Sequence, residues 1–281
     1  MSALTLGLLA AVCWGVHDLA VRYVSQSVSV IASLMATIVF AAFVQLGLGS
    51  ALGQLAIPDG KAALYSVFQG LCYLVAGLSM FAAFQRGPVR LVAPLVASYP
   101  VLSVAMAIWR GASVTPGQWL AVIAIGIGVS IVAARPEQAE TGYPARAPTI
   151  LLSVMAAAGF AGAFALGQYA TELSNEYTVS VIGRAAAILG LAAIAIATGK
   201  TVWPGWKALP LLCVMGTLDS IALLSVIGAG GLPDAQYASV VASVFGLLTV
   251  VLAWILLNER MLPRQWLGCL VAFAGIGYLA F

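Results

Sequence analysis

Four ionisable side chains interrupt long apolar runs in this chain: His17 and Asp18 in CWGVHDLA, Arg184 in VIGRAAAI, and Asp219 in GTLDSIAL. A charge inside hydrocarbon costs on the order of several kcal/mol, so it persists only beside a partner, at a wet cavity or along a solute path. Arg184 and Asp219 sit near the middles of successive runs that must travel in opposite directions, and both are displaced toward the same side. At about 1.5 Å per residue their depths agree, so they can pair. Such a pair either fixes packing or faces a cavity, where it meets the carboxylate and ammonium of a zwitterion. Asp18 stands four residues before Arg22, the order that favours an i,i+4 ion pair, so a packing pair is expected there. His17 points about 100° away from Asp18 on a helix, and the two are not expected to share a site. As the sole histidine, His17 serves either hydrogen-bonded packing or proton coupling near neutral pH.

Weaker candidates are neutral. Tyr73 lies at the centre of its run, Trp14 near the middle of the first, and Ser79 later in the third. Membrane tryptophans prefer interfaces, so a mid-run Trp14 is either core packing or an aromatic cavity wall. The stretch Pro94-Leu95-Val96-Ala97-Ser98-Tyr99-Pro100 reads as a bent wall, because each proline withholds a donor from the helix ladder. Its counterpart, Val241-Ala242-Ser243-Val244-Phe245-Gly246, carries serine and glycine instead.

The elements that would position these groups are membrane helices. The 281 residues are 63% hydrophobic and only 7% charged, against roughly 25% charged in soluble domains. Taking about 20 apolar residues per crossing, ten spans fall near 4–24, 29–50, 62–84, 89–109, 117–134, 149–170, 177–198, 206–228, 235–257 and 264–281. Turn clusters such as Pro58-Asp59-Gly60, Arg86-Gly87-Pro88 and Trp203-Pro204-Gly205 punctuate them. No Lys or Arg precedes the first apolar run, as it would in a cleaved signal peptide, so that run is expected to be the first span. The four cysteines, all inside apolar runs, read as packing residues.

The two halves resemble each other. Pro116-Gly117-Gln118-Trp119-Leu120 recurs as Pro263-Arg264-Gln265-Trp266-Leu267 at an offset of 147. At 146, Tyr23 meets Tyr169, Gly70 meets Gly216, Ser79 meets Ser225 and Tyr73 meets Asp219. An odd number of spans per half inserts the second copy upside down, and inverted repeats place solute sites at the bilayer midplane. The fold class expected is an all-α membrane protein of ten transmembrane helices, as two inverted five-helix repeats around a central cavity. The repeats are placed at 1–135 and 149–281, with a linker at 136–148.

Loop charge predicts the orientation. Lys61 and Arg110 fall on the face of the termini, while Arg22, Arg86, Arg90, Arg135, Arg146, Lys200, Lys207, Arg260 and Arg264 fall on the other. Basic loops stay in the cytoplasm, so both termini are expected outside.

After the ninth run come Asn258-Glu259-Arg260-Met261-Leu262, then Gln265-Trp266-Leu267-Gly268. With the two-times-five layout, this resembles the end-of-span signature of the drug/metabolite transporter superfamily, EamA type. The first copy departs from it, with Ala112 and Ser113 at the Glu and Arg positions. Pro100 resembles the family's span-four proline, where the second copy has Leu247. The resemblance implies a ten-helix carrier of amino acids, their analogues, or other small metabolites and drugs, with YddG-like amino-acid exporters nearest in size and layout. Many such relatives keep both termini in the cytoplasm, against the orientation loop charge predicts here.

The function expected is alternating-access export of amino acids or similar metabolites across a bacterial inner membrane, facilitated or proton-linked, by a monomer. Its partners are the solute and the bilayer, with no nucleic acid, cofactor, metal or catalytic residue. The substrate-binding set expected is Trp14, His17, Tyr73, Ser79, Ser98, Tyr99, Arg184, Asp219 and Ser243. The alternatives are a proton-coupled multidrug exporter and, from another class, an intramembrane lipid-modifying enzyme. The second would need an interfacial cluster of catalytic groups that the sequence does not display.

Overall fold

Apolar composition, N-caps and glycine or proline stops divide the chain into helices joined by short turns. A computed structural model describes residues 2–102, 105, 115–133, 144–232, 236–259 and 261–279. The helices are α1 (Ala3–Val24), α2 (Val30–Ala51), α3 (Gly60–Arg86), α4 (Val89–Val96), α5 (Pro116–Ala133), α6 (Arg146–Leu173), α7 (Glu176–Thr198), α8 (Leu209–Gly228), α9 (Gln236–Ala242), α10 (Phe245–Leu256) and α11 (Pro263–Leu279). Ser2, Ser29, Asp59 and Asn175 cap α1, α2, α3 and α7 by accepting a backbone N–H three residues on, which satisfies a donor the helix itself cannot. Gly199 ends α7 at φ +63°, a left-handed conformation glycine adopts without strain. Seven stretches are long and apolar enough to span a bilayer, including Ala238–Leu256, which joins parts of α9 and α10 into one crossing. The shorter α4, α5 and α11 bring the crossings to ten, and among the described residues there is no strand.

One boundary of the expected linker differs. α6 starts at Arg146, inside the expected linker, because Pro148 falls in its first turn, where a missing N–H breaks no hydrogen bond. Residues 136–143 of that linker, the end of the expected span four, Arg110, Ala112, Ser113, Arg135 and Arg260 lie outside the described residues.

The repeat relation is visible in contacts. Tyr73 donates its hydroxyl to Asp219, its own counterpart 146 positions on. Equivalent residues meet in this way only beside a two-fold axis. The close crossings are reciprocal. A Cβ on Gly70 would run into the Gly183 carbonyl, and one on Gly216 would stand 2.7 Å from the Thr37 carbonyl; Thr37 and Gly183 are themselves 146 apart. Likewise Gly128 packs on Gly268 and Ala272, while Gly275 packs on Ala121 and Ile125. α5 and α11 thus join the halves through small residues. The molecule is two inverted five-helix repeats.

Both repeats break the same helix at the same place. α4 stops at Val96, turns at 97–98 and resumes at Tyr99, while α9 stops at Ala242, turns at 243–244 and resumes as α10. The turns tighten through i→i−3 bonds, Ser98 N to Leu95 O at 3.3 Å and Ser243 N to Val240 O at 3.1 Å. Each serine hydroxyl also donates to the same carbonyl, at 2.7 and 2.6 Å. The breaks touch: a Cβ on Gly246 would meet the Ala97 Cβ at 2.5 Å.

Candidate functional site

Around the axis, α1, α3, α6 and α10 enclose a narrow pocket. Trp14, His17 and Asp18 come from α1, Tyr73 and Met80 from α3, Phe160 and Phe164 from α6, and Phe245 from α10. The space between these side chains admits little more than a water. Aromatic faces dominate it. Trp14 stacks on Phe164 at 5.2 Å, Phe164 on Phe160 at 5.6 Å, and Phe245 stands edge-on to Trp14 at 6.1 Å. Such walls accept apolar groups through burial and cations through the ring quadrupole.

A fully buried polar network ties these walls from behind. Asp219 Oδ2 accepts Arg184 Nη2 at 2.5 Å. Its Oδ1 accepts Trp14 Nε1 at 3.1 Å and the Tyr73 hydroxyl. The Arg184 guanidinium lies over the Tyr73 ring, 4.2 Å from its centre, and its Nε donates to Gln45 Oε1 at 3.4 Å. Each charge therefore has a partner, which is what keeps a desolvated ion pair tolerable. Two wall residues, Trp14 and Tyr73, are held in fixed rotamers by one carboxylate.

A second carboxylate lies on the pocket itself. Asp18 Oδ1 is 3.0 Å from His17 Nδ1, and both residues are 2% exposed. Asp18 Oδ2 and His17 Nε2 have no protein partner. The expected Asp18–Arg22 pair does not form. Arg22 Nη1 instead donates to the Phe84 carbonyl at 2.6 Å, and its Nε stands 3.9 Å from Glu259. Nor do His17 and Asp18 point to separate places. Their Cβ directions diverge, but their tips meet at 3.0 Å and both residues line the pocket.

Of the nine residues expected to bind substrate, Trp14, His17 and Tyr73 line the pocket. Arg184 and Asp219 pair as their depths predicted, but stand behind the wall rather than on it. Tyr99 packs its ring on Phe164 at 5.1 Å and donates to the Ser239 carbonyl, so it backs the wall. Ser98 and Ser243 spend their hydroxyls on the helix breaks, and Ser79 is buried on α3 beside Met80. Asp18, Met80, Phe160, Phe164 and Phe245 are lining residues the sequence reading did not select. The repeat offset carried a signal for three of them: Phe160 is the counterpart of Trp14, Phe164 of Asp18 and Phe245 of Tyr99.

The profile of the EamA-like transporter family matches residues 1–134 and 147–281, one copy per repeat. The chain belongs to the EamA-like transporter family. This is the family that the two-times-five layout and the end-of-span residues resembled. An uncharacterized transporter of Archaeoglobus fulgidus is 28% identical over 145 residues. That match spans 50% of this chain and 51% of the relative. A crystal structure of a protein at 17% identity superposes with a TM-score of 0.73, over 99% of this chain and 96% of its own. At that identity it speaks to the fold alone, and the fold agrees over the whole EamA chain.

Proposed function

We propose that this EamA protein is an alternating-access secondary carrier that exports small amine-bearing metabolites, amino acids among them, across a bacterial inner membrane. One observation supports this most: the Asp18 carboxylate, with an oxygen free of protein partners, faces an aromatic-walled pocket on the axis relating the repeats. A substrate ammonium satisfies that oxygen while the rings of Trp14, Phe160 and Phe164 take up the charge's flanks and a variable side chain. The chain works as a monomer, since one copy encloses the pocket. Loop charge supports both termini outside; an impermeant amine reagent reaching Lys207 from the external face would reverse that orientation.

Arg184 is paired with Asp219 behind the wall, so its charge is not turned to a substrate carboxylate in the pocket. This favours a second reading, export of organic cations in exchange for protons. A competition assay in reconstituted vesicles separates the two. Uptake of a labelled amino acid, faster than in empty vesicles and inhibited by other amino acids, supports the first. Inhibition only by decarboxylated amines or hydrophobic cations supports the second, and entry no faster than in empty vesicles removes both.

A further inference from the structure

The helix ends on the two faces are held together by different chemistry. On the face of the basic loops, Glu259 follows α10 and reaches the start of α4. Its Oε1 accepts Val89 N at 3.1 Å and its Oε2 accepts Arg90 N at 3.3 Å. These are first-turn donors with no partner inside α4, and a carboxylate is favoured there by the helix dipole. Arg22, at the end of α1, brings its Nε to 3.9 Å from the same carboxylate and gives Nη1 to the Phe84 carbonyl near the end of α3. Side chains are only 13% and 9% exposed for Arg22 and Glu259, so solvent screens this cluster little. It fastens together four helix ends, and three of those helices, α1, α3 and α10, carry pocket walls.

Among the described residues, the opposite face shows no such cluster. The counterpart of Arg22 is Gln168, a neutral side chain that donates to the Val226 carbonyl at 3.1 Å. The counterparts of Glu259 are Ala112 or Ser113, which carry no charge. Closure there is by small residues in contact: a Cβ on Gly7 would stand 2.7 Å from the Ala238 carbonyl, and one on Gly230 2.6 Å from the Gln168 carbonyl.

We infer that Glu259 and Arg22 form an ionic latch that holds the pocket shut on the basic-loop face, and that this face opens only when the latch parts. The inference rests on the alternating-access reading above, and it makes the resting carrier closed on this face, with the weaker, neutral closure opposite. The counterparts of the pair in the other repeat, Gln168 and Ala112 or Ser113, are neutral, so the charge pair biases the equilibrium between the two accessible states.

The test places a thiol in the pocket by Met80→Cys, in a chain whose four native cysteines are replaced by alanine. An impermeant maleimide is applied from the face that carries Lys200 and Lys207. With the latch intact, labelling from this face is slow. Glu259→Gln and, separately, Arg22→Gln are expected to speed it by about tenfold, the response to a population shift of that size. Arg22→Gln leaves the α4 cap in place, so it reads the latch even if Glu259→Gln fails to insert. Adding Arg22→Gln to Glu259→Gln should speed labelling little further, because the ion pair is already lost. Unchanged labelling in both single variants overturns the latch. Failure of the unsubstituted protein to move any amine-bearing solute overturns the carrier reading instead, and is measured separately.

Discussion

At the residue scale the decisive contrast is between two carboxylates. Asp219 accepts from Arg184, Tyr73 and Trp14, so it has structural work, and it does not line the pocket. Asp18 has one neighbour, His17, and a free oxygen. Removing Asp219 alone strands the Arg184 charge in the core, a loss of about 3–5 kcal/mol for a broken buried pair. Replacing both with apolar residues of similar volume removes the charge as well as the partner. Thermal unfolding in detergent should therefore show Asp219→Ala well below the unsubstituted protein, with Asp219→Leu/Arg184→Met recovering much of the difference. Equal melting of the single and double variants would contradict the pairing. The Arg184–Asp219 meeting was readable from depth, and Tyr73–Asp219 from the repeat offset, because both follow from helix rise and symmetry. Asp18 was misread because i,i+4 spacing ranks partners within a helix. Arg22 is drawn away by Phe84 and Glu259, and nothing local in the chain announces a partner more than two hundred residues distant.

At the element scale, breaks in α4 and between α9 and α10 let two crossing helices bend around the pocket at symmetric points. Pro94 and Pro100 announced the first, since each removes a ladder donor. The second has no proline and was legible only as the first one's image, with Ser243 and Gly246 in the place of the prolines' bend. Gly246 is needed where the breaks touch, because a Cβ there would lie 2.5 Å from the Ala97 Cβ and 2.9 Å from the Ala93 carbonyl. Gly246→Val should destabilise by about 1–3 kcal/mol through overpacking, measured as a lower midpoint of thermal unfolding. A melting curve that does not move would mean the helices are not in contact there. Boundaries such as the start of α6 escaped the sequence reading for a simpler reason: polar composition around Pro148 looks like a loop whether or not its backbone is helical.

At the scale of the whole molecule, two copies of a five-helix unit inserted in opposite senses enclose one pocket on their shared axis. Ten crossings and the repeat were legible in hydropathy, the odd span count and the P-x-Q-W-L recurrence. The walls of the pocket were not, because Phe160, Phe164 and Phe245 are ordinary apolar residues until the partner repeat is laid against them. Asp18 is the group proposed to meet the solute. Counterflow tests it most directly, since exchange across a carrier needs no knowledge of the coupling ion. Vesicles loaded with an unlabelled amine-bearing solute and holding the unsubstituted protein should transiently accumulate the labelled solute from outside. Those holding Asp18→Asn, equally folded by thermal unfolding, should lose that overshoot at least about tenfold, as befits removal of a charged contact. An overshoot of the same size in Asp18→Asn would contradict the account.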